Sequence, residues 1–182
     1  MKLFHVSESP DIECFEPRPS PSKWESVTTP VVWAVDEAHL VNYLFPRDCP
    51  RVTFYPLPSS TPADIRRLMG ATGSRHVVCI EEGWLDRVST QQLCVYELPT
   101  ETFTCVDSGA GYFVSPETIR PKSMQVIDSL IDKIGACRAE FRILPSLWNL
   151  SDDVSASSLQ FSCIRMRNAL PRDASYVAKS NR

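Results

Sequence analysis

The apolar residues of this chain come in short runs rich in β-branched side chains, cut apart by prolines. VVWAV at 31–35, RVTFYPL at 51–57, HVVCIE at 76–81 and QLCVYEL at 92–98 are the clearest. Such runs read as buried strands, although runs this short are ambiguous between strand and buried helix. Fifteen prolines against six glycines make the connections rigid turns more than mobile loops. KLFHV at 2–6, TFTCVDS at 102–108, GYFVS at 111–115 and EFRIL at 140–144 complete the expected strands. The PTE turn between QLCVYEL and TFTCVDS predicts a hairpin of those two.

Helical signals fall between the runs. Asp36 is placed to cap a helix carrying His39, Leu40 and Tyr43, closed by Pro46 and Pro50. In TPADIRRLMG, Thr61 caps, Pro62 takes the first helical position and Gly70 stops the helix. EEGWLDRV supplies a short helical turn. Apolar residues at 124, 126, 127, 130, 131 and 134 have helical spacing, which predicts a helix over 123–135. Ser151, with Asp152 and Asp153 in the first turn, predicts a last helix reaching about Asn168. Residues 15–30 read as a proline-rich loop, and 171–182 as a flexible polar tail. Strands and helices do not alternate strictly. The expectation is therefore an α+β fold, one globular domain over 1–170, with mixed, mainly antiparallel sheets and flanking helices.

Bulk properties exclude several classes. A chain of 182 residues with 43% hydrophobic and 23% charged residues can bury a sizeable core and is not disordered as a whole. A net charge of −3 supplies no global basic field for nucleic acid. The first apolar run is far too short for a signal peptide, and no stretch approaches a membrane span. Seven cysteines without a CxxC pair exclude a zinc ribbon or thioredoxin motif. Cytoplasmic, reducing surroundings are expected, without a membrane partner. Three widely spaced histidines argue against a structural metal, and GxSxG, HExxH and Walker A signatures are missing.

Five constellations remain as candidates for chemistry. His5 sits on the first strand with Ser7 on the same face. It either serves a ligand, as hydrogen-bond partner or base, or is a half-buried ring satisfied by backbone. In NYLFPRDCPRV, Arg47 and Arg51 flank Asp48 between two prolines. They present guanidinium forks to a phosphate or carboxylate, or form an ion network that ties the loop down. DSGAGYFVS at 107–115 brings two glycines to one turn; it approaches a ligand closely or is a plain hairpin turn. In LQFSCIRMRNA, Ala156 with Leu159, Cys163 and Met166 forms a stripe at helical spacing. Arg165 either faces a pocket or lies with Arg167 at a helix end. Trp148 before the last helix packs as a staple or walls a planar ligand.

The stretches LFHVSESPDIECFEPRP, VVWAVDEAHLVNYLFPRDCPRVTFY, GAGYFVSPETIRP and LPSLWNLSD with SLQFSCIRMRNA together resemble one family of small microbial proteins known only as a domain of unknown function. The likeness spans about residues 1–170. More distantly, the order strand-His, strand-aromatic-helix, late strand resembles the ADP-ribosyltransferase fold. That resemblance implies a pocket between two small sheets for NAD or another nucleotide. His5 would hydrogen-bond a ribose beside Ser7, with Arg18 folded over it. Trp33 and Tyr112 would form aromatic walls, and Arg47, Arg51 and Arg165 would contact phosphate or carboxylate. His5 and Arg47 would carry any chemistry. Tyr112 and Phe113 stand where that fold has its late-strand acid, and Glu117 comes after the strand. Two other functions fit the same residues: an enzyme of a biosynthetic pathway whose arginines grip a small carboxylated metabolite, and a non-catalytic interaction module. The module would use the loop at 17–30 and the basic tail.

Overall fold

The computed structural model describes residues 1–20, 24 and 26–172. Most of the polar tail, Lys179 and Arg182 included, lies outside the described residues, as do Pro21–Lys23 and Glu25 of the proline-rich loop. The architecture is α+β with two mostly antiparallel sheets. In chain order the strands are β1 (Leu3–Ser7), β2 (Val32–Asp36), β3 (Arg51–Tyr55), β4 (His76–Glu81) and β5 (Leu93–Leu98). They continue with β6 (Thr104–Asp107), β7 (Tyr112–Ser115), β8 (Ser123–Ile127), β9 (Ala139–Leu144) and β10 (Gln160–Ile164). The α-helical segments are α1 (Pro62–Asp64), α2 (Leu85–Thr90), α3 (Leu130–Ala136) and α4 (Trp148–Ser155).

The chain divides into two compact units. The first comprises Met1–Arg47 and Thr90–Lys133, the second Asp48–Ser89 and the residues from Ile134 on. The first unit is built on a six-stranded sheet of order β6-β7-β2-β1-β5-β8, antiparallel throughout. Alternation along each strand sends Leu3, Ala34, Tyr96, Leu98 and Phe113 into one core with Phe15 and Ile119. Removing a leucine, isoleucine or phenylalanine of this core from water contributes about 1.5–3 kcal/mol. The segment after β1 closes over this core. Tyr96 anchors it, accepting from the Ile12 amide at 3.2 Å and donating to the Ser9 carbonyl at 2.7 Å. Paired backbone bonds of Phe15 with Ile119 and of Arg18 with Val31 hold the described ends of the proline-rich loop.

The second unit carries a four-stranded sheet of order β10-β3-β4-β9, in which β4 and β9 run parallel. Its core joins Val52, Phe54, Leu68, Val77, Leu147 and Val154. Thr61 caps α1 as its sequence predicts, accepting from the Asp64 amide at 3.2 Å, and the helix widens into a π-turn over Ile65–Met69 before Gly70 at φ 69°. All seven cysteines are free thiols. Burial pushes Cys49 and Cys79 up to about 12, so both behave as small apolar side chains.

Four expectations are corrected. The hairpin of β5 with β6 does not form: β6 pairs with β7 across the 108–111 turn, and β5 lies between β1 and β8. Residues 123–135 are not one helix. They split into β8 and α3, with Ser129 bonded to Asp132 at 2.7 Å at the helix start. The residues after Asp36 form only a 3-10 turn, Leu40–Tyr43, whose cap position is His39 without a side-chain cap; Asp36 instead closes the turn before it, accepting from the His39 amide at 2.9 Å. The last helix stops at Ser155, and β10 follows it. Ser155, Ser157 and Ser158 offer the backbone alternative bonds there. Ser157 Oγ donates to the Val154 carbonyl at 2.8 Å and Ser158 Oγ to Asp64 at 2.7 Å. Leu159, Cys163 and Met166 still pack on the core, but from a strand and the turn after it rather than a helix stripe.

Candidate functional site

The chemistry-bearing side chains of the first unit gather where β1 and β2 part. Their ladder pairs only Leu3 with Asp36 and Phe4 with Val35. Beyond Phe4 the strands separate, and the His5 ring bridges the gap: Nδ1 lies 2.9 Å from the Trp33 carbonyl. A carbonyl oxygen only accepts, so Nδ1 carries the proton and donates it. Burial holds the imidazole below its usual value; the bond to Trp33 opposes this, and the guanidiniums of Arg47 and Arg18 add to it. At neutral pH the ring is therefore uncharged, and Nε2 is its basic nitrogen. Phe15 packs against the ring with centroids 4.6 Å apart.

A second cluster stands on the other face of the sheet. Trp33 pairs with Val114 and Val35 with Tyr112, which sets Trp33 and Tyr112 diagonally on one face. Their rings are 5.8 Å apart and nearly perpendicular. Trp24 approaches both, at 5.3 Å from Trp33 and 5.7 Å from Tyr112. Tyr43 adds a fourth ring and donates its hydroxyl to that of Tyr112. The Trp33 Nε1–H is buried and has no acceptor among the described residues. A donor left so costs about 1–3 kcal/mol.

The 108–111 turn fixes Tyr112 in place. Gly111 adopts φ 68°, and a Cβ there would lie 2.3 Å from His39 Nδ1. Only glycine fits, because the Gly111 carbonyl accepts from the Asp36 amide at 3.0 Å while Asp36 Oδ1 accepts from His39 Nδ1 at 2.7 Å. The two-glycine stretch is thus the turn of a β6–β7 hairpin.

The expected site residues are distributed as follows. His5, Ser7, Arg18, Trp33, Arg47 and Tyr112 all belong to the first unit, whereas Arg51 and Arg165 belong to the second. Ser7 Oγ is engaged by the Ser9 amide at 3.1 Å. The Arg47 amide donates to Glu8 at 2.9 Å, which ties the end of the 3-10 segment to the residue after β1. Arg51 is buried on β3 and donates to the Cys49 carbonyl at 2.9 Å. Arg165 sits at φ 56° in a left-handed turn after β10, not at the end of a helix. His5 and Trp33 are joined through Trp33's backbone, with their rings on opposite faces. Sequence reasoning passed over Trp24, whose segment reads as loop, and gave Tyr43 only a helical position. Both carry the one available signal, an aromatic ring beside a strand that already bears one.

Trp148, weighed as a staple or a ligand wall, packs locally: Arg172 lies 4.4 Å over its ring, and its Nε1 donates to the Leu170 carbonyl. No helix among the described residues is long and apolar enough to cross a membrane. Among them, no group of three or more His, Cys, Asp or Glu side chains is placed to hold a metal ion.

One family model matches residues 4–169. The chain belongs to the family of unknown function DUF6886. The match covers both sheets, so the fork of β1 and β2, the aromatic cluster and the second unit all lie within DUF6886. Neither the curated proteins nor the solved structures give a match.

Proposed function

We propose that the first unit of this DUF6886 chain binds a small anionic ligand of the nucleotide class, NAD-like, with its planar ring at the aromatic cluster of β2 and β7 and its anionic group reaching through the open end of the β1–β2 fork toward the opposite face, where His5 lies. The observation that carries the reading is the Nε1–H of Trp33, buried and without an acceptor among the described residues, within a cluster of four aromatic rings. A ring carrying a carbonyl or ring-nitrogen acceptor satisfies that donor and stacks in the same place. Two further features support it. His5 offers a neutral Nε2, and the guanidiniums of Arg47 and Arg18 add to the burial that lowers its pKa. Such forks suit phosphate. The ADP-ribosyltransferase likeness of the strand order agrees with this ligand class. β7 carries Tyr112 and Phe113 where that fold has its acid, so the residues support binding ahead of group transfer. Seven free thiols suit a reducing, cytoplasmic setting.

The same two arginines favour a second reading, an enzyme acting on a small carboxylated metabolite. A thermal-shift panel of NAD, ADP-ribose, nucleoside phosphates and carboxylated metabolites separates the two. A ligand at 100 times its Kd stabilises by about 2.7 kcal/mol. On the nucleotide reading, a nucleotide raises Tm and Trp33→Phe weakens its binding about tenfold. A shift by carboxylated metabolites alone transfers the assignment to the second reading. Silence of the whole panel at millimolar concentration overturns both.

A further inference from the structure

The two edges of the six-stranded sheet differ. β6, at one edge, is four residues long, carries Asp107 and has a register shift between Cys105 and Asp107. Bulges and charges of this kind blunt an edge against pairing. β8, at the other edge, runs for five residues in unbroken register with β5 and contains no charge, proline or bulge. Its outer surface is open: Met124 is 40% exposed and Val126 43%. Both lie opposite core residues, Met124 against Tyr96 and Val126 against Cys94. The apolar face of the sheet therefore continues onto the edge strand and ends there uncovered.

The sequence KSMQVID at 122–128 is complementary to itself read backwards. An antiparallel pairing about a two-fold axis at Gln125 sets Lys122 opposite Asp128 of the second copy and Ser123 opposite Ile127. It sets Met124 opposite Val126 on one continuous face. Both charges are available. The Lys122 ammonium has no partner among the described residues, and Asp128 accepts one bond, from Gln92 at 2.7 Å. We propose that two copies of this chain associate through β8, joining their six-stranded sheets edge to edge into one continuous sheet. A five-residue ladder buries less than the roughly 1,200 Å² of a standard interface, so the dimer is weak, with Kd on the order of 10 μM to 1 mM.

Sedimentation equilibrium of the full chain across that concentration range tests the proposal. The expected result is a reversible monomer–dimer equilibrium. Lys122→Asp places like charges opposite one another at both ends of the ladder, and so does Asp128→Lys; each weakens self-association about tenfold. An equimolar mixture of the two variants restores both pairs, so a heterodimer forms at the parent strength, which a folding defect in either variant would not permit. Met124→Lys weakens the dimer without such rescue. A monomer at every concentration overturns the proposal. A dimer indifferent to either charge reversal, or a mixture that fails to recover, does so as well.

Discussion

Glu81 in the second unit and Trp33 in the first are both polar groups inside a sheet, and they are treated in opposite ways. Glu81 is 2% exposed, and its carboxylate accepts from the Leu147 amide at 3.3 Å and the Leu170 amide at 3.0 Å. Arg142 is used alike, closing the π-turn through the Leu68 and Met69 carbonyls at 2.8 Å each. These charges are consumed by the backbone. In the first unit Trp33 keeps an unused donor, and His5 spends one nitrogen on backbone while its other stays basic. A buried charge spent on backbone marks a scaffold; an unused donor and a shifted imidazole on the same pair of strands mark a candidate site.

The largest expected effect tests the scaffold half of that contrast. Glu81→Leu leaves two buried amides without acceptors, and urea unfolding should lose about 3 kcal/mol. A loss under about 1 kcal/mol would place Glu81 outside the framework. Next comes His5. In the unfolded chain it titrates near 6.5, in the folded chain lower. Between those values the unfolded state holds the extra proton, so stability falls as pH drops from 6.5 toward the folded value, and His5 contributes no pH dependence above 6.5. One group limits the slope to about 1.4 kcal/mol per pH unit. His5→Phe should flatten that part of the stability profile; an unchanged slope would show that the ring stays solvated. The smallest effect is expected at Trp33. Trp33→Phe removes a donor that has no partner among the described residues, so ligand-free stability should stay within about 1 kcal/mol of the parent, the offset coming from lost ring area. A drop as large as that of Glu81→Leu would mean that Trp33 is scaffold too.

What could be read from sequence follows from the range of each signal. β2, β4 and β5 were legible to within a residue because continuous apolar runs bounded by turn residues are local signals. The window 123–135 was not, because Met124 and Val126 alternate as in a strand while Leu130 and Ile134 repeat as in a helix, and the two patterns merge into one helical reading. Ala156, Leu159, Cys163 and Met166 fit a helical stripe by spacing alone, and Ser158, one of the serines in the break, bonds to Asp64, far away in sequence. Pairing partners are non-local by nature, so β6 was given the wrong neighbour. At the candidate site, His5 stood out by residue type on its strand, whereas Trp33 and Tyr112 entered only through the resemblance of the strand order. The division of Arg47 from Arg51 was not, since four positions apart in sequence they fall in different units.

The parallel ladder of β4 with β9 has a consequence for how the chain emerges from the ribosome. Every residue of the first unit up to Lys133 is made before any of β9 or β10 exists. The six-stranded sheet is then complete in material, while β3 and β4 are only a two-stranded ribbon with both edges open. Such a ribbon is marginal in water. A nascent chain stalled there presents an assembled first sheet and an unfinished second one, and β9 and β10, made afterwards, close both open edges.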